Sequence, residues 1–130
     1  MTIKFANRDF DGPFPAASWV APWYGGVYAV LVRDASWAPL PCRPIHFGQT
    51  GNFARRGFLR DHPGYRSWLA AAGGESNLGI ATHWMPGAAE AERQALEQSL
   101  LRHYRPECDA AVPSNVFVFP QPQQQRSGAR

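Results

Sequence analysis

Tyr28, His46, the pair Arg55-Arg56 and Glu97 stand where packing alone would favour other side chains. Tyr28 interrupts an apolar run. A tyrosine there is most often a core aromatic with a satisfied hydroxyl, yet its phenol can also pass a proton. His46 lies between Ile45 and Phe47; a hydrogen-bonded structural histidine is the ordinary outcome, but an imidazole can also serve as a base near neutrality. Arg55 and Arg56 follow a glycine-bearing turn. On a helix adjacent residues point about 100 degrees apart, so at most one of them faces a pocket, and two solvated arginines are the simpler account. Glu97 follows Leu96 and so borders an apolar stripe, where a carboxylate could hold a hard cation. The plainer alternative pairs it with Arg93, four residues earlier, for a few tenths of a kcal/mol. His46, His62, His83 and His103 lack the close spacing of a zinc site, and no cysteine joins them.

The chain that must position these groups has 130 residues and a formal net charge of +3. That is room for one domain with one core. The mild positive balance favours polyanions without demanding one. Lys4 is the sole lysine and the remaining basic side chains are arginines, whose planar fork grips phosphate oxygens in pairs; genomic base composition is an equally good cause of that bias. Cys42 and Cys108 form no CxxC pair, which argues against a disulfide framework or thiolate zinc and for a reduced, cytoplasmic setting. Neither a signal peptide nor a membrane span is expected, although export by a machine that needs no cleaved signal stays open.

Residues 1–24, with proline, small residues and aromatics crowded into 11–23, suggest an extended arm. Residues 27–32 are almost continuously apolar and β-branched, the pattern of a strand covered on both faces. A loop over 35–43 leads to a short strand at 44–48, which would place His46 beside Tyr28 on a neighbouring strand. Turn and cap chemistry at Thr50-Gly51-Asn52 introduces a short helix over 53–60, weakened by Gly57. A helix over 65–72 ends at Gly73-Gly74, a strand follows at 78–84, and Leu96, Leu100 and Tyr104 define a longer helix over 88–104. The result is a small α/β or α+β domain over 25–118, with a three-stranded, at least partly antiparallel sheet flanked by helices. The Pro/Gln-rich tail at 119–130 is expected to be disordered.

Taken in order, these residues resemble the GIY-YIG nuclease family. Gly26-Val27-Tyr28 stands for the first tripeptide and His46-Phe47-Gly48 for the second. Gly48-Gln49-Thr50-Gly51-Asn52-Phe53-Ala54-Arg55-Arg56 looks like the family's glycine-to-arginine run, with the catalytic arginine at Arg56. The helix around Leu96-Glu97-Gln98-Ser99-Leu100-Leu101, closing at Pro106, is similar to the one that carries the metal-binding glutamate. The resemblance spans residues 25–109. Two departures stand out: His46 replaces the second tyrosine, and Asp109 replaces an asparagine, for which Asn115 could substitute. A histidine that some members carry one turn after the arginine is here Arg60, with His62 close by.

The resemblance implies a metal-dependent endonuclease acting on nucleic acid, DNA rather than RNA, with magnesium on Glu97 and manganese as a substitute. Tyr28 or His46 would be the general base and Arg56 would neutralise charge in the transition state. Gly48, Thr50, Arg55, Arg60, His62, Asp109 and Asn115 would line the substrate. With no separate recognition domain, structure-selective or single-strand cutting is expected, and Trp23, Trp37, Trp68 and Trp84 could stack on unpaired bases, though tryptophans in a domain this small are usually core. The alternatives are a catalytically inactive nucleic-acid-binding module and a protein-binding effector or accessory domain.

Overall fold

In the computed structural model, residues 1–55 and 59–110 are described. Five strands, β1 (Thr2–Phe5), β2 (Arg8–Pro15), β3 (Gly26–Arg33), β4 (Cys42–Thr50) and β5 (Leu78–Trp84), form one sheet in the order β1-β2-β5-β3-β4. Every adjacent pair is antiparallel. Helices α1 (Tyr65–Ala72), α2 (Glu90–Tyr104) and the short α3 (Glu107–Ala110) complete the α+β fold. Among the described residues no helix is long and apolar enough to cross a membrane.

The central strand β3 is buried from Gly26 to Val32, which is why its sequence shows no alternation. Tyr28, Val30 and Val32 join Trp68 and Ala72 of α1 on one side of the sheet. Val27, Ala29 and Leu31 join Leu100 of α2 on the other. Helix α1 ends where Gly73 turns left-handed at φ +75° and donates back to Ala70 and Leu69. Helix α2 starts with the Glu92 side chain accepting the Ala89 N–H at 3.0 Å and packs chiefly along β4.

The expected extended arm is in large part a hairpin, and the sheet has five strands instead of three. Ile3, Phe5 and Phe10 are buried in the α2-side core, while Lys4, Arg8 and Asp9 are exposed. Ala6 and Asn7, with φ of 52° and 65°, make the two-residue turn. The Tyr104 hydroxyl accepts the Ala6 N–H at 2.7 Å and ties that turn to α2. Irregular chain is confined to the stretch after β2, where a 3-10 turn (Ala16–Ser18) precedes β3.

The helix expected over 53–60 is replaced, in its described parts, by turns. Thr50 Oγ1 accepts the Asn52 N–H at 3.3 Å and the Asn52 side chain accepts the Ala54 N–H at 2.9 Å. These side-chain bonds compete with helical ones. Strand β4 is longer than expected because Pro44 sits beside a register irregularity facing Leu31, where its missing N–H is tolerated. Residues 119–130 of the tail lie outside the described residues.

Candidate active site around Tyr28 and His46

Strands β3 and β4 pair so that Tyr28 faces Gly48 and Val30 faces His46. Tyr28 and His46 are therefore diagonal neighbours on one face of the sheet. The Tyr28 hydroxyl lies 3.3 Å from His46 Nε2. The glycine opposite Tyr28 makes this possible: a Cβ at residue 48 would lie 2.4 Å from the Tyr28 Cζ and hydroxyl oxygen. The ring thus leans across β4, with its hydroxyl directed at the imidazole. Tyr28 is 3% exposed, whereas His46 is half-buried, so one partner is held by the core and the other is open to solvent.

Among the described residues, two further side chains join the cluster. His62, in the turn before α1, packs its ring 5.0 Å from His46, and Trp68 of α1 packs 4.9 Å from His46 and 4.6 Å from His62. The Gly64 N–H donates to His62 Nδ1 at 2.9 Å. With that nitrogen an acceptor, a neutral His62 carries its proton on Nε2. Trp68 is 1% exposed and is a wall of the site, not a stacking surface; its part was not evident from its sequence position, which reads only as the core face of α1.

The other expected site residues divide. Gly48 clears room for Tyr28. Thr50 is buried, and its hydroxyl accepts from the Asn52 N–H and donates to the Asn52 carbonyl, both at 3.3 Å, so it shapes the turn. Arg55 is exposed just after that turn. Arg56 and Asn115 lie outside the described residues, and of Asp109 only the backbone, in α3, is described. Arg60 meets the Glu75 carboxylate at 3.2 Å, and the Tyr65 hydroxyl donates to the same group. The Tyr65 hydrogen bond, then Arg60, holds the Glu75 carboxyl below its ordinary range, while Glu75 raises the Tyr65 phenol and the Arg60 guanidinium.

Glu97 is half-buried on α2, in the stretch whose Leu96 and Leu100 pack into the α2-side core. Arg93, four residues earlier, reaches β4. Its Nε donates to Gln49 Oε1 at 2.8 Å and its Nη1 to the Ala88 carbonyl at 2.8 Å. That contact docks α2 on the end of β4 and sets Glu97 one helical turn further along. A half-buried carboxylate fits a hard cation that keeps water and phosphate oxygens as its other ligands. Among the described residues no group of three or more His, Cys, Asp or Glu side chains forms a metal cage.

Of the tryptophans considered for stacking, Trp23 and Trp84 are 87% and 56% exposed, and Trp37 leans on Tyr104 with ring centroids 6.3 Å apart. Comparison of the chain with family models, with curated proteins and with solved structures gives no match.

Proposed function

We propose that this chain is a GIY-YIG-type endonuclease that hydrolyses phosphodiester bonds in nucleic acid, DNA in preference to RNA, selecting single-stranded or branched structure over sequence. The observation that carries the reading is the 3.3 Å contact between the Tyr28 hydroxyl and His46 Nε2, on paired strands, beside the glycine that admits it. It joins the two tripeptides of the family resemblance into one proton-handling pair.

In this reading His46, or Tyr28 through His46, takes a proton from water, whose oxygen then bonds to phosphorus. The opposite P–O bond breaks and its oxygen leaves with the electron pair, to be protonated from solvent. Arg56 neutralises the added charge on the phosphoryl oxygens. Glu97 would hold a divalent cation, magnesium first and manganese as a substitute, which when bound supplies Lewis-acid charge at the phosphate. His62 and Trp68 fix the His46 ring and limit water on one side.

The test is cleavage of labelled single-stranded, duplex and branched DNA and of RNA by wild type and Glu97→Ala, with magnesium or with chelator. Metal-dependent cutting that is lost in the variant is expected. Binding without cutting of any substrate would overturn the enzymatic reading in favour of a non-cutting nucleic-acid module.

A further inference from the structure

Beside the Tyr28 cluster, on the same face of the sheet, lies a groove of about 450 Å³ lined by Asp11, Phe14, Trp19, Val20, Tyr24 and Thr82, among others. That volume is in the range of small-molecule sites, roughly 300 to 1,000 Å³. The groove and the cluster are structurally continuous. Asp11 pairs with Thr82, Thr82 with Tyr28 and Tyr28 with Gly48 in one row across four strands. Phe53 packs edge-on against both Tyr24 and Tyr28, with ring centroids 5.9 Å and 6.4 Å away.

The rim is apolar and aromatic. Phe14 and Val20 are exposed in it, and Trp84, also exposed, leans on Tyr24 at 5.1 Å between ring centroids. Among the described lining side chains there is one carboxylate, Asp11, and no arginine or lysine. Such a lining offers flat rings to a planar ligand and an acceptor to N–H groups at its edge. The arginines expected at the backbone, Arg55 and Arg56, belong instead to the segment after β4.

We propose that this groove holds an unpaired nucleobase flanking the scissile phosphate, guanine in preference to the others, stacked among the aromatic side chains with Asp11 accepting from its N1–H and exocyclic amine. The proposal rests on the phosphodiesterase reading and names what that site recognises. Guanine is preferred because two adjacent donors on its Watson–Crick edge match the two oxygens of a carboxylate. Thymine offers a single N–H between two carbonyls that Asp11 would repel.

The test is fluorescence anisotropy in chelator, with labelled single-stranded oligothymidylates carrying one internal guanine, hypoxanthine or abasic position. Wild type should bind the guanine strand about tenfold more tightly than the abasic one, with hypoxanthine, which lacks the amine, between them. Asp11→Ala should abolish the distinction between guanine and hypoxanthine, and Trp84→Ala should weaken binding to both; each position is exposed, so the fold is retained. Equal affinity for guanine and abasic strands would overturn the proposal and leave the apolar rim as a protein-docking face. Cleavage of the same strands in magnesium separates the two readings. Cutting without base preference removes the groove and keeps the nuclease, whereas base preference without cutting supports the groove and removes the nuclease.

Discussion

Gly48 and Tyr28 occupy one space: a methyl group on residue 48 would come within 2.4 Å of the Tyr28 hydroxyl. Since Tyr28 is buried between strands and α1, its ring cannot retreat without disturbing the core. Gly48→Ala is therefore expected to destabilise the fold by about 1 to 3 kcal/mol and to separate the Tyr28 hydroxyl from His46. Urea denaturation and cleavage rate together check this; wild-type values for both would refute the clash.

Removing the hydroxyl alone should spare the fold and not the chemistry. Tyr28→Phe is expected to change stability by less than about 1.5 kcal/mol while lowering the cleavage rate by about 10²-fold to 10⁴-fold, the usual contribution of a positioned acid or base. His46→Ala should match it in rate. Additive losses in the double variant, in place of a shared loss, would show that the two do not act as a unit.

The Arg60–Glu75–Tyr65 network predicts a pH signature remote from the chemistry. Glu75 has a carboxyl lowered from its ordinary 4.5, so its contribution is present above that value and is lost as pH falls through the lowered one. Tyr65 is raised from 10.0, so its contribution is present below 10.0 and is lost as pH rises through the raised value. The stability difference between wild type and Glu75→Gln should shrink on acidification, as followed by thermal melts. Arg60 is exposed and Glu75 and Tyr65 are only half-buried, so the effect is small and weakens in salt. A difference that grows toward acid would contradict the assignment.

Tyr104 joins α2 to the N-terminal hairpin through the 2.7 Å bond from the Ala6 N–H to its hydroxyl. Tyr104→Phe should cost about 1 kcal/mol and speed amide exchange at Ala6 and its neighbours. The exchange rates near Tyr28 should stay unchanged. Unaltered exchange at Ala6 would mean that the bond does not restrain the turn.

The elements around the Tyr28–His46 pair were legible because their signals are local. The unbroken apolar run of β3, the proline and glycine stops around α1 and β5 and the leucine spacing of α2 each need only neighbours in sequence to be read. The adjacency of Tyr28 and His46 followed from pairing the strands that carry them. The N-terminal hairpin was hidden because Ile3, Phe5 and Phe10 reveal their purpose only once Phe47 and Tyr104 are there to pack on them: Phe5 meets Phe10 at 5.4 Å, Phe47 at 5.6 Å and Tyr104 at 5.5 Å. Prolines and charges in that stretch masked a two-residue periodicity too short to stand alone.

Residue types along the chain thus determined which groups could handle a proton, hold a cation or turn the backbone. Tertiary structure decided which of them meet: register set Tyr28 over Gly48 and diagonal to His46, the turn before α1 brought His62 and Trp68 to the same imidazole, and Arg93 reached across to Gln49. The physical reason is that a side chain's partner is chosen by what the packed sheet and helices leave within its reach, and that choice involves residues dozens of positions apart.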